Sequence, residues 1–229
     1  VTLANAISTA GVGTINTDAS RTIILDGVIS GAGSIAKAGG GVLVLNAANT
    51  YAGGTAFNAG SIRTGNSGSL GTGAVTAAAG TILQAGNAGV TLGNAIAMAG
   101  GMTVDVNGRV YGLGGAISGT GPLNVIDSAA ATGDALVLSG TNTYTGGTVV
   151  TGTTVSVSRD ANLGNAAGSV TLNGAALRTT ASFSTARNIT LGTGGGSLLV
   201  DVGTTLTMTG VISGGALTKN SGELVLAGA

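Results

Sequence analysis

The sequence predicts an all-β solenoid, a coil of parallel strands stacked in rungs, and three observations predict it. The segment Asn142-Thr-Tyr-Thr-Gly-Gly-Thr148 has a near copy at Asn49-Thr-Tyr-Ala-Gly-Gly-Thr55, 93 residues earlier, with matching flanks. Between these copies the chain alternates short apolar runs with Gly, Asn or Ser, the pattern of strands with one buried face. The composition supplies 45 Gly, five aromatic residues and 7% charged residues, with no Trp. A core must then be made of Ala, Val, Leu, Ile and Thr, which suits a narrow coil better than a thick globule. Disorder is the other reading of a Gly-rich chain. A 43% hydrophobic content in alternating runs argues against it.

The elements follow in order. The first copy, about residues 1–89, opens Val1-Thr-Leu-Ala-Asn. The second, 90–188, opens Val90-Thr-Leu-Gly-Asn, and a third, incomplete one at 189–229 opens Ile189-Thr-Leu-Gly. The whole chain is expected to be one continuous solenoid built from repeats of roughly 90 residues. Each copy reaches an acid, at Asp18, Asp105 and Asp201, and then Ile-Ser-Gly at residues 29–31, 117–119 and 212–214. Strand-like runs include Thr22-Ile-Ile-Leu25, Val42-Leu-Val-Leu45, Thr81-Ile-Leu83, Ala135-Leu-Val-Leu138 and Val155-Ser-Val157. Residues 127–133, small and polar, read as an inserted exposed loop. Recurrence in fixed order favours stacked rungs, in which each copy meets the same neighbours. Rungs of about 20 residues would number ten to twelve and make a rod about 50 Å long. Leu226-Ala-Gly-Ala229 stands where other copies continue into Asn-Thr-Tyr, so the chain reads as a fragment of a longer protein.

Within the motif, Asn142 is expected to cap a turn and Gly146-Gly147 to take conformations closed to other residues. Tyr51 and Tyr144 hold equivalent places. An aromatic contact for a sugar or a protein is one reading; an aromatic packed across a corner is the other, and it fits better with recurrence in each repeat.

The pattern Gly41-Val-Leu-Val-Leu, Asn49-Thr-Tyr-Ala-Gly-Gly-Thr, Leu70-Gly-Thr-Gly-Ala-Val-Thr resembles the autotransporter-associated β-strand repeat. The second copy matches through Leu136-Val-Leu-Ser-Gly-Thr-Asn-Thr-Tyr-Thr-Gly-Gly-Thr148 and Leu163-Gly164. The lead-ins Gly33-Ser-Ile-Ala-Lys37 and Gly215-Ala-Leu-Thr-Lys219 also fit, whereas the middle copy has Val125 in place of the Lys. The resemblance implies a right-handed parallel β-helix in the passenger region of a Gram-negative type V secretion protein or a related large surface protein. It implies an extracellular or cell-surface stalk or adhesin segment, exported by signals outside this chain. A membrane link would come only through an anchor or translocator region that this stretch does not contain.

Charge and composition narrow the chemistry. Net charge is zero, so nothing points to nucleic acid or an anionic membrane, which call for clustered Lys and Arg. Without Cys or His, disulfides, thiolate catalysis and His-based protease or metal chemistry are excluded within this chain. No run approaches the about 20 apolar residues of a membrane-spanning helix. The alternative function is a polysaccharide-binding or polysaccharide-degrading β-helix. Hydrolysis needs two carboxylates roughly 5 to 9.5 Å apart. Asp18, Asp105 and Asp201 recur about 90 residues apart, several rungs or about 20 Å from one another, and the only Glu is Glu223. The sequence-adjacent Asp18 and Arg21, Asp105 and Arg109, and Arg159 and Asp160 read as exposed charges or weak surface pairs. Gly100-Gly-Met-Thr-Val-Asp105 matches a calcium β-roll only loosely. The threonines at 141, 143, 145, 148, 151, 153 and 154 do not recur at rung spacing, as an ice-binding face requires. The expectation is therefore a non-enzymatic shaft with no catalytic, metal or cofactor residues and no assigned ligand-binding residue. Its expected partners are a host or neighbouring-cell surface ligand and other copies of itself, through the open ends or the sides of the rod.

Overall fold

A computed structural model describes residues 1–227 as a parallel β-solenoid. Eleven strands form one continuous sheet, and each pairs with the strand one turn of chain earlier and one turn later. They are Thr2–Leu3, Thr22–Leu25, Val42–Leu45, Ser61–Thr64, Ile82–Ala85, Met102–Asp105, Leu123–Ile126, Thr148–Thr151, Val170–Asn173, Ile189–Leu191 and Ile212–Gly214. One strand per turn makes eleven rungs, a stack about 50 Å tall at about 4.8 Å per rung. The rung length varies: Val42 pairs with Ser61, 19 residues on, whereas Leu123 pairs with Thr148, 25 residues on. That longest rung holds the expected loop at 127–133, between the strands Leu123–Ile126 and Ala135–Leu138. Asp127 closes the loop locally, accepting from the backbone N–H groups of Gly108, Ala129 and Ala131 at 2.6, 3.0 and 2.6 Å.

Two further walls complete each rung. The second carries a pair of strands at Ile7–Ser8 and Ile29–Ser30, then a seven-stranded sheet from Thr91–Leu92 to Leu217–Asn220. The third carries a six-stranded sheet from Val12–Asn16 to Ile117–Gly119 and a three-stranded sheet over Phe183–Thr185, Thr205–Met208 and Glu223–Leu226. Where a wall lacks a regular strand, the backbone still bonds from rung to rung, as in Thr50 N–H to the Ile29 carbonyl at 2.8 Å and Asn165 N–H to the Tyr144 carbonyl at 2.9 Å. The amides are therefore satisfied around the whole circuit.

The core is a set of stacked columns. Leu43, Ile62, Leu83, Val104, Val125, Val150, Leu172 and Leu191 follow one another in register down the first wall, each buried. On the second wall Leu113, Leu138, Val157, Thr179 and Val200 do the same. Strand alternation sends every second residue into the tube, so a column needs only one aliphatic side chain per rung.

One expectation is corrected. The sequence copies do not meet the same neighbours. Val42–Leu45 lies in the eleven-stranded sheet, but its counterpart Ala135–Leu138 lies in the seven-stranded one. Thr55–Phe57 lies in the six-stranded sheet, and its counterpart Thr148–Thr151 in the eleven-stranded one. The 93-residue period thus spans four rungs and one wall, so the second copy enters the coil one wall out of phase. Rung length is set by circumference, and 93 is not a multiple of it. The interruption of the third copy at Leu226–Ala229 lies partly outside the described residues.

Thr179 provides a test of the column. Its hydroxyl is buried and unpartnered, between Val157 and Val200 in register. Thr179→Val is expected to stabilise the fold by about 1 kcal/mol, because it removes an unpaired polar group without opening a cavity. A rise in the denaturation midpoint at unchanged m-value is the measurement.

Candidate functional surface

The repeated motif is built inward. Asn49 spans three rungs: its Oδ1 accepts from Ile29 N–H at 2.8 Å and its Nδ2 donates to the Ser69 carbonyl at 2.7 Å. Asn142 does the same with Ile117 N–H at 2.8 Å and the Asn162 carbonyl at 2.6 Å. The asparagine therefore bridges to the neighbouring rungs instead of capping its own turn. Tyr51 and Tyr144 have no exposed surface, and their hydroxyls pair with Thr55 and Thr148 at 2.6 and 2.7 Å. The corner-packing reading of these tyrosines is the one that the burial supports. The Leu-Gly that follows each motif has its reason here. A Cβ on Gly71 would lie 2.8 Å from the Tyr51 ring, and one on Gly164 would lie 2.7 Å from the Tyr144 ring; both glycines have positive φ.

Burial raises the tyrosine pKa values, to about 12 for Tyr51 and Tyr144, and upward for Tyr111 as well; the threonine partners lower them only in part. Tyr111 was not singled out in the sequence. It crosses the tube to pair with Thr64 at 2.7 Å, a contact that no local pattern signals.

The three recurring acids do not come together. Asp18 follows a third-wall strand, Asp105 ends a first-wall strand and Asp201 follows a second-wall strand. Asp105 is 3% exposed. Burial pushes its carboxyl up, but bonds from Ser128, Gln84 and Asn107 outweigh burial and hold it below the usual range. Asp105 Oδ2 accepts from Gln84 Nε2 at 2.6 Å, and Oδ1 accepts from Asn107 and Ser128 N–H at 2.9 and 3.0 Å. Its oxygens thus face donors. Among the described residues no group of three acidic, His or Cys side chains is placed to hold a metal ion. The thonine-rich stretch splits similarly: Thr148 points into the core and Thr153 donates to Asp134, while Thr141, Thr143, Thr145 and Thr151 are exposed.

The sequence-adjacent charges do not pair with each other: Asp18, Arg21 and Arg159 are exposed, as one of the two readings has it, whereas Asp105 is buried. Arg21 donates its backbone N–H to the Asp18 carbonyl, Arg109 turns its guanidinium to the Asn107 carbonyl, and Arg159 reaches the Ser139 carbonyl and Thr141. Among the described residues the salt bridges run between rungs instead: Arg178 to Asp201 at 2.8 Å and Arg187 to Asp160 at 2.7 Å. A rung brings residues about 20 apart to within about 5 Å, whereas neighbours along a strand point to opposite faces.

Two buried cations were not legible as such. Lys37 has no exposed surface; its Nζ donates to the carbonyls of Ala38, Gly39 and Ala59 at 2.9, 2.6 and 3.0 Å, and burial lowers its pKa. Arg187, 2% exposed, holds Asp160 through Nε and Nη2. It also donates to the carbonyls of Gly164, Asn165 and Gly168 at 2.7, 2.6 and 3.0 Å, pinning the turn after the second motif. After the first motif Asn94 does this work on the Gly71 and Gly73 carbonyls at 3.0 and 2.7 Å.

Two predictions follow from these contacts. Arg187→Ala is expected to cost about 3 kcal/mol, because it strands Asp160 and several buried carbonyls. Arg178→Ala, which removes an exposed and solvent-screened pair, is expected to leave the denaturation midpoint nearly unchanged; paired denaturation curves compare them. In a spectrophotometric titration the folded chain is expected to show no tyrosinate band until well above pH 10. The unfolded chain ionises near pH 10 and the folded one only near 12, so the stability held by the neutral tyrosines is full below about pH 10 and falls as pH rises through that window.

Comparison with known proteins agrees with this geometry. Residues 35–63 and 133–157, the two motif segments, match the family model described as the passenger-associated-transport-repeat. The chain is also similar to a protein named adhesin BmaC autotransporter, from Brucella suis biovar 1 (strain 1330), with 45% identity over 76 residues. That match covers 32% of this chain and 2% of the relative. No solved structure matches the chain.

Proposed function

We propose that the chain, two segments of which match the passenger-associated-transport-repeat, is a non-enzymatic shaft or adhesin segment of a secreted or cell-surface bacterial protein. The observation that carries this reading is the unbroken eleven-stranded sheet, which runs through both motif segments. A continuous stack of rungs makes a semi-rigid spacer whose length grows with each rung, and it leaves its side faces available for contact. The distinctive residues of the repeat support the same reading. Asn49, Tyr51, Asn142 and Tyr144 are spent on holding rungs together, and all four are buried. The surface role itself rests on the passenger repeats and on the similarity to an adhesin.

The test joins shape to attachment. Small-angle scattering on the purified chain is expected to give a thin rod about 50 Å long. Beads coated with the chain are then expected to be retained on cell or matrix surfaces above a bare-bead control. Release of reducing ends from a panel of polysaccharides would overturn the non-enzymatic reading. A compact globular profile would remove the shaft.

A further inference from the structure

We propose that a groove at the corner between the first and second walls binds a linear polysaccharide of amino sugars with free amines. The proposal extends the surface reading to a ligand class and rests on that reading only for where the ligand is met. The groove runs along the stack, over the corners that follow the first-wall strands ending at Ile126, Thr151, Asn173, Leu191 and Gly214. Residues of five successive rungs line it, so it is about 20 Å long at about 4.8 Å per rung. Its floor is a column of glycines. Gly133, Gly152, Gly174 and Gly195 all have φ between +56° and +83°. A Cβ on Gly133 or Gly152 would meet nothing within 4 Å, so the floor there is open backbone.

One carboxylate calls for a cationic ligand. Asp134 lines the groove and is 7% exposed. Thr153 donates to its Oδ2, while Oδ1 accepts no hydrogen bond among the described residues. No cation among them lies within salt-bridge distance of it. Arg109, one rung earlier in register, turns to the Asn107 carbonyl instead. A buried carboxylate with one oxygen unpaired is costly to keep charged unless a cationic donor reaches it. Asp134 is also the only charged residue in the lining, so nothing in the groove opposes an incoming ammonium.

Spacing selects a sugar chain over a peptide. Thr154, Ser197 and Thr218 stand in one column along the rim, with Ala176 between the first two, and each is at least partly exposed. Their hydroxyls thus recur at the rung spacing. A pyranose chain carries hydroxyls on every unit, and one unit is about as long as a rung is tall. An extended peptide repeats each face every two residues, about 6.6 Å, and falls out of step with rungs of about 4.8 Å. A neutral glycan leaves Asp134 unpaired. An amino sugar places an ammonium on it, a charge-assisted bond roughly twice as strong as a neutral one. Glycoside hydrolysis takes two carboxylates and the groove holds one, so the polymer is held and not cut.

The chain's net charge of zero separates binding in the groove from general attraction of polycations. Titration calorimetry on the purified chain compares three probes: a glucosamine hexamer with its amines protonated, cellohexaose and hexalysine. The glucosamine hexamer is expected to bind about tenfold or more tightly than either of the others. Asp134→Asn keeps an acceptor for Thr153 and removes the charge; it is expected to weaken the hexamer about tenfold, to the level of cellohexaose. Gly152→Asn puts a side chain into the open floor, in a conformation that Asn tolerates, and is expected to abolish binding. Circular dichroism should be unchanged in both variants, and Gly152→Asn decides alone should Asp134→Asn unfold. No binding of the glucosamine hexamer at millimolar concentration, equal binding of cellohexaose or hexalysine, or a folded variant that binds as the parent does would each overturn the proposal. Because the readout is binding in solution, its failure leaves the rod shape and the bead retention of the surface reading standing.

Discussion

The structure depends on one constraint: the backbone amides of each rung are satisfied by the rungs before and after it. The hydrogen-bonded partner of a strand residue lies about 20 positions away in sequence, and no rung closes its ladder on itself. From this follow the parallel sense of the pairings, the single core column per strand position and the regular rise. It also follows that a residue's chemical neighbours are those one rung away, which is why the ion pairs join Arg178 to Asp201 and Arg187 to Asp160 and not residues adjacent in sequence.

The constraint is hardest to meet at the corners, where the chain leaves one wall and has not entered the next. Side chains there replace missing backbone partners. Asn49 and Asn142 each join the rung above to the rung below with one amide group. Lys37 gathers the carbonyls of Ala38, Gly39 and Ala59, and Arg187 and Asn94 gather those of the turns after each motif. Such polar groups are tolerable inside because they are satisfied; the cost of burying an unpaired one is of order 1–3 kcal/mol. Because Asn94 and Arg187 meet the same need with different chemistry, the repeat is conserved in geometry between the copies more strictly than in residue type.

The narrow tube accounts for the composition. Each rung encloses space for a few aliphatic side chains, and the few buried aromatics constrain their surroundings: Tyr51 and Tyr144 exclude a side chain at Gly71 and Gly164. Charged residues make up only 7% of the chain, so the outer faces carry few of them.

The sequence by itself determined the class of fold, the rung count to within one and the inserted loop at 127–133. Alternation, turn residues and motif recurrence are local properties, and strand, corner and loop are local decisions. It also favoured an architectural reading of the Asn-Thr-Tyr motif, because the motif recurs in each full copy, and the burial of Tyr51 and Tyr144 supports that reading. The phase of the copies was decided only in three dimensions. Val42–Leu45 and Ala135–Leu138 are alike in sequence and stand on different walls, because phase is the accumulated length of all intervening rungs, including the 25-residue one. The partners of Asp105, Tyr111, Lys37 and Arg187 were likewise fixed by which residues the coil brings one or two rungs away. That distance depends on every turn between them, and no local pattern records it.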